Sequence, residues 1–202
     1  MTLVVEEAAV AADTDMERSD VQAVFDSIDP PEGFRVELIG GAIVMSPSAV
    51  GQHGGLLRRL DKRFLDMHKP DKTEVSSYPL TVELPSAPGG REAYIPDLVV
   101  VDEDVLWDPD DWKFPADVFH LVVEVVSAGH QSRRDDREIK PMGYASGPIP
   151  LYLLIDPLRS EVTLFSEPEN GTYRRQLKVP FGDEIPFPKP FDAALNTSIF
   201  QR

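Results

Sequence analysis

Glu124 stands inside the run His120-Leu121-Val122-Val123-Glu124-Val125-Val126, which is otherwise apolar and rich in β-branched residues. A short run apolar at both parities predicts a strand buried on both faces. A carboxylate placed there loses its hydration, at a cost of several kcal/mol unless something pairs with it. Glu124 therefore points to a bound partner. Asp97, in Tyr94-Ile95-Pro96-Asp97-Leu98-Val99-Val100-Val101, is a second acid in a similar setting. Two such acids suggest a divalent metal, because Mg²⁺ and Mn²⁺ take oxygen ligands, commonly one or two carboxylates with waters and a substrate phosphate. Such an ion acidifies a bound water and neutralises charge building on a phosphate. Strand parity groups Asp97 with Val99 and Val101, and Glu124 with Val122 and Val126. If the two strands are neighbours in suitable register, the carboxylates converge. An Asp that follows a proline at a strand start fits a backbone-bonding role equally well.

Downstream, Asp136, Lys140 and Tyr144 recur every four residues and share one stripe of a helix. Lys140 could bring an ammonium to the scissile phosphate, although an exposed ion pair is the commoner origin of this spacing. Arg133, Arg134 and Arg137 form the strongest basic cluster, suited to phosphates or to solvating the helix start. Upstream, Glu37 interrupts the strand Arg35-Val36-Glu37-Leu38-Ile39, a position that more often faces solvent. His53 lies near a helix start, in line with Leu57, Leu60 and Phe64.

The elements that must position these residues are legible in outline. A short helix is expected over Asp20–Ile28, ended by Pro30-Pro31-Glu32-Gly33. Two strands follow, Arg35–Ile39 and Ala42–Met45, around the hairpin signal Gly40-Gly41. A helix from about Val50 to His68 carries the stripe Leu56, Leu57, Leu60, Phe64 and Leu65. Strands are expected over Tyr78–Leu84, Ile95–Asp102, Phe119–Ser127 and Leu151–Ile155. Asp104–Pro115, with Trp107 and Trp112, reads as a surface loop, and Ser132–Lys140 leads a helix to about Ala145. Glu161–Phe165 and Thr172–Val179 form a further hairpin, and the Phe- and Pro-rich tail folds back on the core. Residues 1–17 are acidic and read as disordered, leaving a single domain over 18–202. The fold class is mixed α/β (α+β), a central sheet flanked by helices.

Composition narrows the chemistry. With 42% hydrophobic and 27% charged residues the chain is an ordinary globular protein. It has no cysteine, which removes disulfides, zinc–thiolate sites and thiol nucleophiles, and suits the cytoplasm. The N-terminus lacks the positive region of a secretory signal. No apolar run approaches the roughly 20 residues of a membrane span. A net charge of −15, from 35 acids against 20 bases, argues against broad non-specific nucleic-acid binding.

Taken in order, these residues resemble a known pattern: Val36-Glu37-Leu38-Ile39-Gly40-Gly41, Met45-Ser46-Pro47 with His53, Pro96-Asp97 and its apolar strand, Leu121 to Ser127 around Glu124, Asp136-x₃-Lys140-x₃-Tyr144, and Ile149 to Pro157. The chain is similar, from about residue 20 to 195, to the Uma-two family of restriction endonucleases, a branch of the PD-(D/E)xK nuclease superfamily. The resemblance implies a restriction-endonuclease-like core and a metal-dependent endonuclease acting on DNA, with Mg²⁺ or Mn²⁺ as cofactor. Asp97 and Glu124 would hold the metal, with Glu37 as a further contact. The superfamily's lysine usually follows the second acid by two residues, where this chain has Val126. In the family it lies on the next helix, matched by Lys140, which would orient or activate water. His53, Asp136 and Tyr144 match family positions of accessory role. A homodimer is the expected assembly for cutting two strands. Two other readings remain open: a non-catalytic binding or regulatory module on the same fold, and a nuclease acting on RNA.

Overall fold

A computed structural model describes residues 3–4, 14–48, 52–86, 90–106 and 112–201. The N-terminal half contains β1 (Leu3–Val4), α1 (Thr14–Ser27), β2 (Phe34–Ile39), β3 (Ala42–Pro47), α2 (Gln52–Asp66), β4 (Thr73–Ser76), β5 (Thr81–Ser86), β6 (Gly90–Tyr94) and β7 (Leu98–Asp102). Next come β8 (Lys113–Pro115), β9 (Phe119–Val125), α3 (His130–Arg134), a π turn (Asp135–Ile139) and α4 (Lys140–Ser146). The chain closes with β10 (Leu151–Asp156), β11 (Glu161–Glu169), β12 (Thr172–Pro180), β13 (Glu184–Pro186) and β14 (Ala194–Asn196). Of the acidic segment 1–17, Leu3–Val4 pair with β3 and the first helix starts at Thr14, earlier than the apolar pattern from Asp20 indicates. The remainder of that segment, and Trp107, lie outside the described residues.

The strands form two six-stranded sheets and a small hairpin, a mixed α+β architecture as expected, with a second sheet beside the central one. The central sheet has the order β12-β11-β10-β9-β7-β4, with β9 and β10 parallel in its middle and the other pairs antiparallel. Strand β9 is buried on both faces, as its run of apolar residues on both sides of Glu124 predicts. Leu121, Val123 and Val125 face a layer made by Leu56, Leu60 and Phe64 of α2 and by Phe187, Phe191 and Phe200 of the returning tail. Arg59 ties that tail down by donating to the Ile199 carbonyl at 2.9 Å. Val122 and Val126 face the opposite core, shared with Tyr144 of α4 and with Val82, Leu84 and Tyr94 of the second sheet. Glu124, between Val122 and Val126, is directed into that second interface.

The second sheet, β1-β3-β2-β6-β5-β8, is held in register by the β2–β3 hairpin. Gly40 and Gly41 both have positive φ (59° and 77°), the conformation a two-residue hairpin loop demands. The buried Glu92 carboxylate accepts hydrogen bonds from both of their amides. Strand β8 forms inside the segment expected to be a loop and pairs parallel with β5.

One local irregularity has a covalent cause. Pro141 sits inside the helical stretch, where it has no N–H to give and its ring crowds the preceding turn. The helix responds with the π turn, in which the Lys140 amide bonds to the Asp135 carbonyl. The Asp136 carbonyl then has neither Lys140 nor Pro141 as donor, and the buried Tyr152 hydroxyl supplies the missing bond at 2.7 Å. Arg137 pins the same turn to the end of β10, with Nε 2.9 Å and Nη2 2.7 Å from Asp156 Oδ2.

Candidate active site

The pairing of β7 with β9 aligns Leu98 with Val123 and Val99 with Val122. One step further along this register sets Asp97 across from Glu124. The Asp97 amide bonds to the Val123 carbonyl at 3.0 Å, and the Val125 amide donates to Asp97 Oδ2 at 2.8 Å. Both acids are buried. Asp97 thus has both properties that its position after a proline left open: it bonds backbone, across the sheet rather than locally, and it faces the second acid.

Lys140 is 2% exposed and converges on the acids from the helix side. Its Nζ donates to Glu124 Oε1 at 2.7 Å and lies 3.0 Å from Glu37 Oε1 and 3.6 Å from Asp136 Oδ1. The Tyr144 hydroxyl donates to the same Glu124 Oε1 at 2.6 Å. The Asp136–Lys140–Tyr144 stripe is therefore a buried constellation, and the exposed ion pair that its spacing more often signifies is not what forms. Glu37 is likewise buried rather than solvent-facing, and its Oε1 also accepts the Ile95 amide at 2.9 Å.

On the opposite side of Asp97 stand Arg35 and His53. Arg35 Nη1 donates to Asp97 Oδ1 at 3.0 Å, and its Nε lies 3.9 Å from Glu37 Oε2. His53 Nε2, near the start of α2, is 2.9 Å from Asp97 Oδ2 but out of line for a hydrogen bond, so this buried nitrogen has no hydrogen-bond partner. Arg35 is the site residue that the sequence did not single out. An arginine opening a hairpin strand reads as solvated, and its partner lies 62 positions away. The alternation Arg35–Glu37 on one strand face was the available signal.

These neighbours set the protonation of the site. Burial works against the Asp97 carboxylate, but His53, Arg35 and the Val125 amide together hold it well below the usual carboxylate range. Glu124 goes the other way: burial, with Asp97 and Glu37 as like-charged neighbours, pushes it up to about 7 despite Lys140. Burial likewise drives Asp136 upward. Burial alone would lower Lys140, yet Glu124, Glu37 and Asp136 raise it well above an ordinary lysine, so it stays an ammonium at neutral pH.

A cavity of about 330 Å³ opens onto Arg35, Glu37, His53, Glu124, Asp136 and Lys140. All of the site residues expected from the sequence are thus brought together around Asp97 and Glu124. Arg133 and Arg137 are instead engaged locally, with the Gly129 carbonyl and with Asp156. Among the described residues, no three Asp, Glu or His side chains already form a coordination shell. The donors still suit a hard cation, which needs only one or two carboxylates from the protein. Glu124 Oε2 is outside the bonds that hold Oε1, and His53 Nε2 is an unused buried donor atom.

Comparison with known proteins bears on the fold and the family. A solved structure entitled "Crystal structure of a putative nuclease belonging to DUF820", from Anabaena variabilis, superposes with a TM-score of 0.63 at 15% identity, covering 87% of this chain and 94% of that one. This likeness shows the fold. No curated protein matches the sequence. Residues 23–199 match the family described as "Uma2: Putative restriction endonuclease", and a match over that much of the chain places this protein in the Uma2 family.

Proposed function

We propose that the protein is a metal-dependent endonuclease that hydrolyses phosphodiester bonds in DNA. The observation that carries this reading is the convergence of Glu37, Asp97, Glu124 and Lys140 at the edge of a cavity that also contains Arg35. Asp97 and Glu124 would hold Mg²⁺ or Mn²⁺, with Glu37 as a further contact. When bound, such an ion supplies charge neutralisation at the phosphate and makes a water more acidic. Lys140 acts as a fixed cation rather than as a base, because its ammonium is held protonated by the surrounding carboxylates. It keeps Glu124 Oε1 in place together with Tyr144 and offers charge to a phosphate oxygen. Arg35, shared between Asp97 and the cavity, supplies a planar donor pair suited to a second phosphate oxygen.

The test is incubation of purified protein with supercoiled plasmid and with RNA, in Mg²⁺ and in Mn²⁺, beside Glu124→Ala and Lys140→Ala. Cleavage by the wild type alone is expected. Cleavage at equal rate in both variants would remove the assigned site. One feature favours a second reading, a non-catalytic binding module: Asp97 and Glu124 are already paired with Arg35 and Lys140, so neither of these two acids lacks a counter-charge. Absence of cleavage together with absence of Mn²⁺ binding in calorimetry would establish that alternative.

A further inference from the structure

Arg35 borders three cavities. One is the site cavity. A second, of about 420 Å³, contains Asp97, Arg58 and Asp61. The third, of about 280 Å³, is walled by Phe34, Trp112, Ile28, Pro79 and Ile95. The second and third share Phe34, Arg35, Pro79 and Ile95, and all three adjoin one another at Arg35, which places the aromatic end beside the site. The aromatic end is unusual for a soluble surface. Phe34 is 40% exposed and Trp112 51% exposed, although both line a concave apolar space.

This space is built rather than incidental. The Trp112 backbone carbonyl accepts the Thr81 amide at 2.7 Å, which fixes the residue beside β5. Lys113 Nζ lies 4.5 Å from the Trp112 ring centre and 3.5 Å from Asp26 Oδ1, and Arg91 pairs with the same carboxylate, so a Lys–Asp–Arg cluster stands beside the ring. Aromatic faces with an adjacent donor and acceptor match a nucleobase, which offers a flat π surface and a polar edge. A base within a duplex has both faces covered by its neighbours, and reaches such a space only when unstacked.

We propose that the Phe34–Trp112 cavity receives an unstacked nucleobase, so that the substrate is single-stranded or locally opened nucleic acid. The inference rests on reading the Arg35–Asp97 site as a nuclease centre, and it narrows that centre's substrate. It also fits the charge of the molecule. A net charge of −15 opposes binding through a broad array of phosphates, whereas stacking draws on the base and is independent of the protein's charge.

The experiment compares oligo(dT) with an abasic strand of the same length and charge, using fluorescence anisotropy. Binding is read in EDTA, and again in Mg²⁺ with a Glu124→Gln background that keeps the strand intact. The wild type is expected to prefer oligo(dT) by about tenfold or more. Trp112→Ala and Phe34→Ala are expected to lose that preference while keeping their affinity for the abasic strand, and Trp112→Tyr to retain it. Equal affinity of the wild type for the two strands, an unchanged preference in Trp112→Ala, or no strand binding in either medium would overturn the proposal. Cleavage assays run in parallel separate the two ideas. Cleavage without Trp112-dependent preference removes the cavity's role and leaves the nuclease reading standing, and Trp112-dependent preference without cleavage does the reverse.

Discussion

Lys140 carries one positive charge among Glu124, Glu37 and Asp136, all within 3.6 Å and all buried. Lys140→Met leaves these buried acids without their counter-charge. Urea denaturation is expected to show a loss of about 3–5 kcal/mol, the range for breaking a buried ion pair from one side. Glu124→Gln, which removes the charge that most needs Lys140, should cost less. The same residues give the stability a distinctive dependence on pH. Glu124 is raised from its ordinary 4.5 to about 7 in the folded protein. Below 4.5 both folded and unfolded chains hold its proton. Between 4.5 and 7 only the folded chain does, so the stability that this group contributes is full below 4.5 and lost as pH rises through 7. Asp97, lowered by His53 and Arg35, acts in the opposite sense: its contribution is present above 3.8 and lost as pH falls. Urea midpoints measured against pH should therefore decline less between 4.5 and 7 in Glu124→Gln than in the wild type, with the acid limb preserved. Most of these residues were legible in the sequence, because an acid in a strand of valines is costly wherever the strand lies. The role of Arg35 was not, since it depends on which strand end meets Asp97, a long-range pairing that no local pattern encodes.

At the scale of elements, the site depends on how closely α4 approaches the second sheet. A Cβ added at Gly143 would come within 2.4 Å of the Tyr94 ring, which itself meets Tyr144 edge-on at 5.3 Å. Gly143→Ala must push Tyr94 or lift α4, and α4 carries both Lys140 and Tyr144. Overpacking of this kind costs about 1–3 kcal/mol, and thermal unfolding of the variant should show it. If the wild type cleaves, activity should fall as well, since Tyr144 is displaced from Glu124. Tyr152→Phe tests the π turn that precedes α4. It leaves the Asp136 carbonyl buried with no donor, at a cost of about 1–3 kcal/mol, whereas Tyr173→Phe, which frees the Ile149 carbonyl, touches no part of the site. The sequence made the helix visible but not its π turn, although Pro141 within the helical stretch was the physical cue. The β2–β3 hairpin was plain from its paired glycines. Short strands such as β4, β8 and β14 were not, because four residues or fewer carry too little periodicity to declare themselves.

At the scale of the whole molecule, the acidic balance sets how nucleic acid can be approached. The cations that line the adjoining cavities and reach open surface are Arg35, Arg58 and Lys113, and of these Arg35 and Lys113 already pair with Asp97 and Asp26. Several other basic residues are paired with acids as well: Arg91 with Asp26 and Glu83, Arg137 with Asp156, and Lys178 with Glu161. A strand lying there can therefore neutralise at most about three phosphates. Each neutralised phosphate of a single strand contributes about −0.7 to the slope of log affinity against log salt, so the expected slope is about −2. The remaining surface repels the backbone, and added salt screens that repulsion, which flattens the slope further. Anisotropy titrations across a range of KCl concentrations measure it directly. A slope near −2 or shallower fits an enzyme that holds its substrate at one cleft and by its bases. A steep slope, of the size seen for proteins that clasp ten phosphates, would mean that the strand follows a basic path elsewhere on the molecule, and Arg58→Ala and Lys113→Ala would then leave the affinity unchanged.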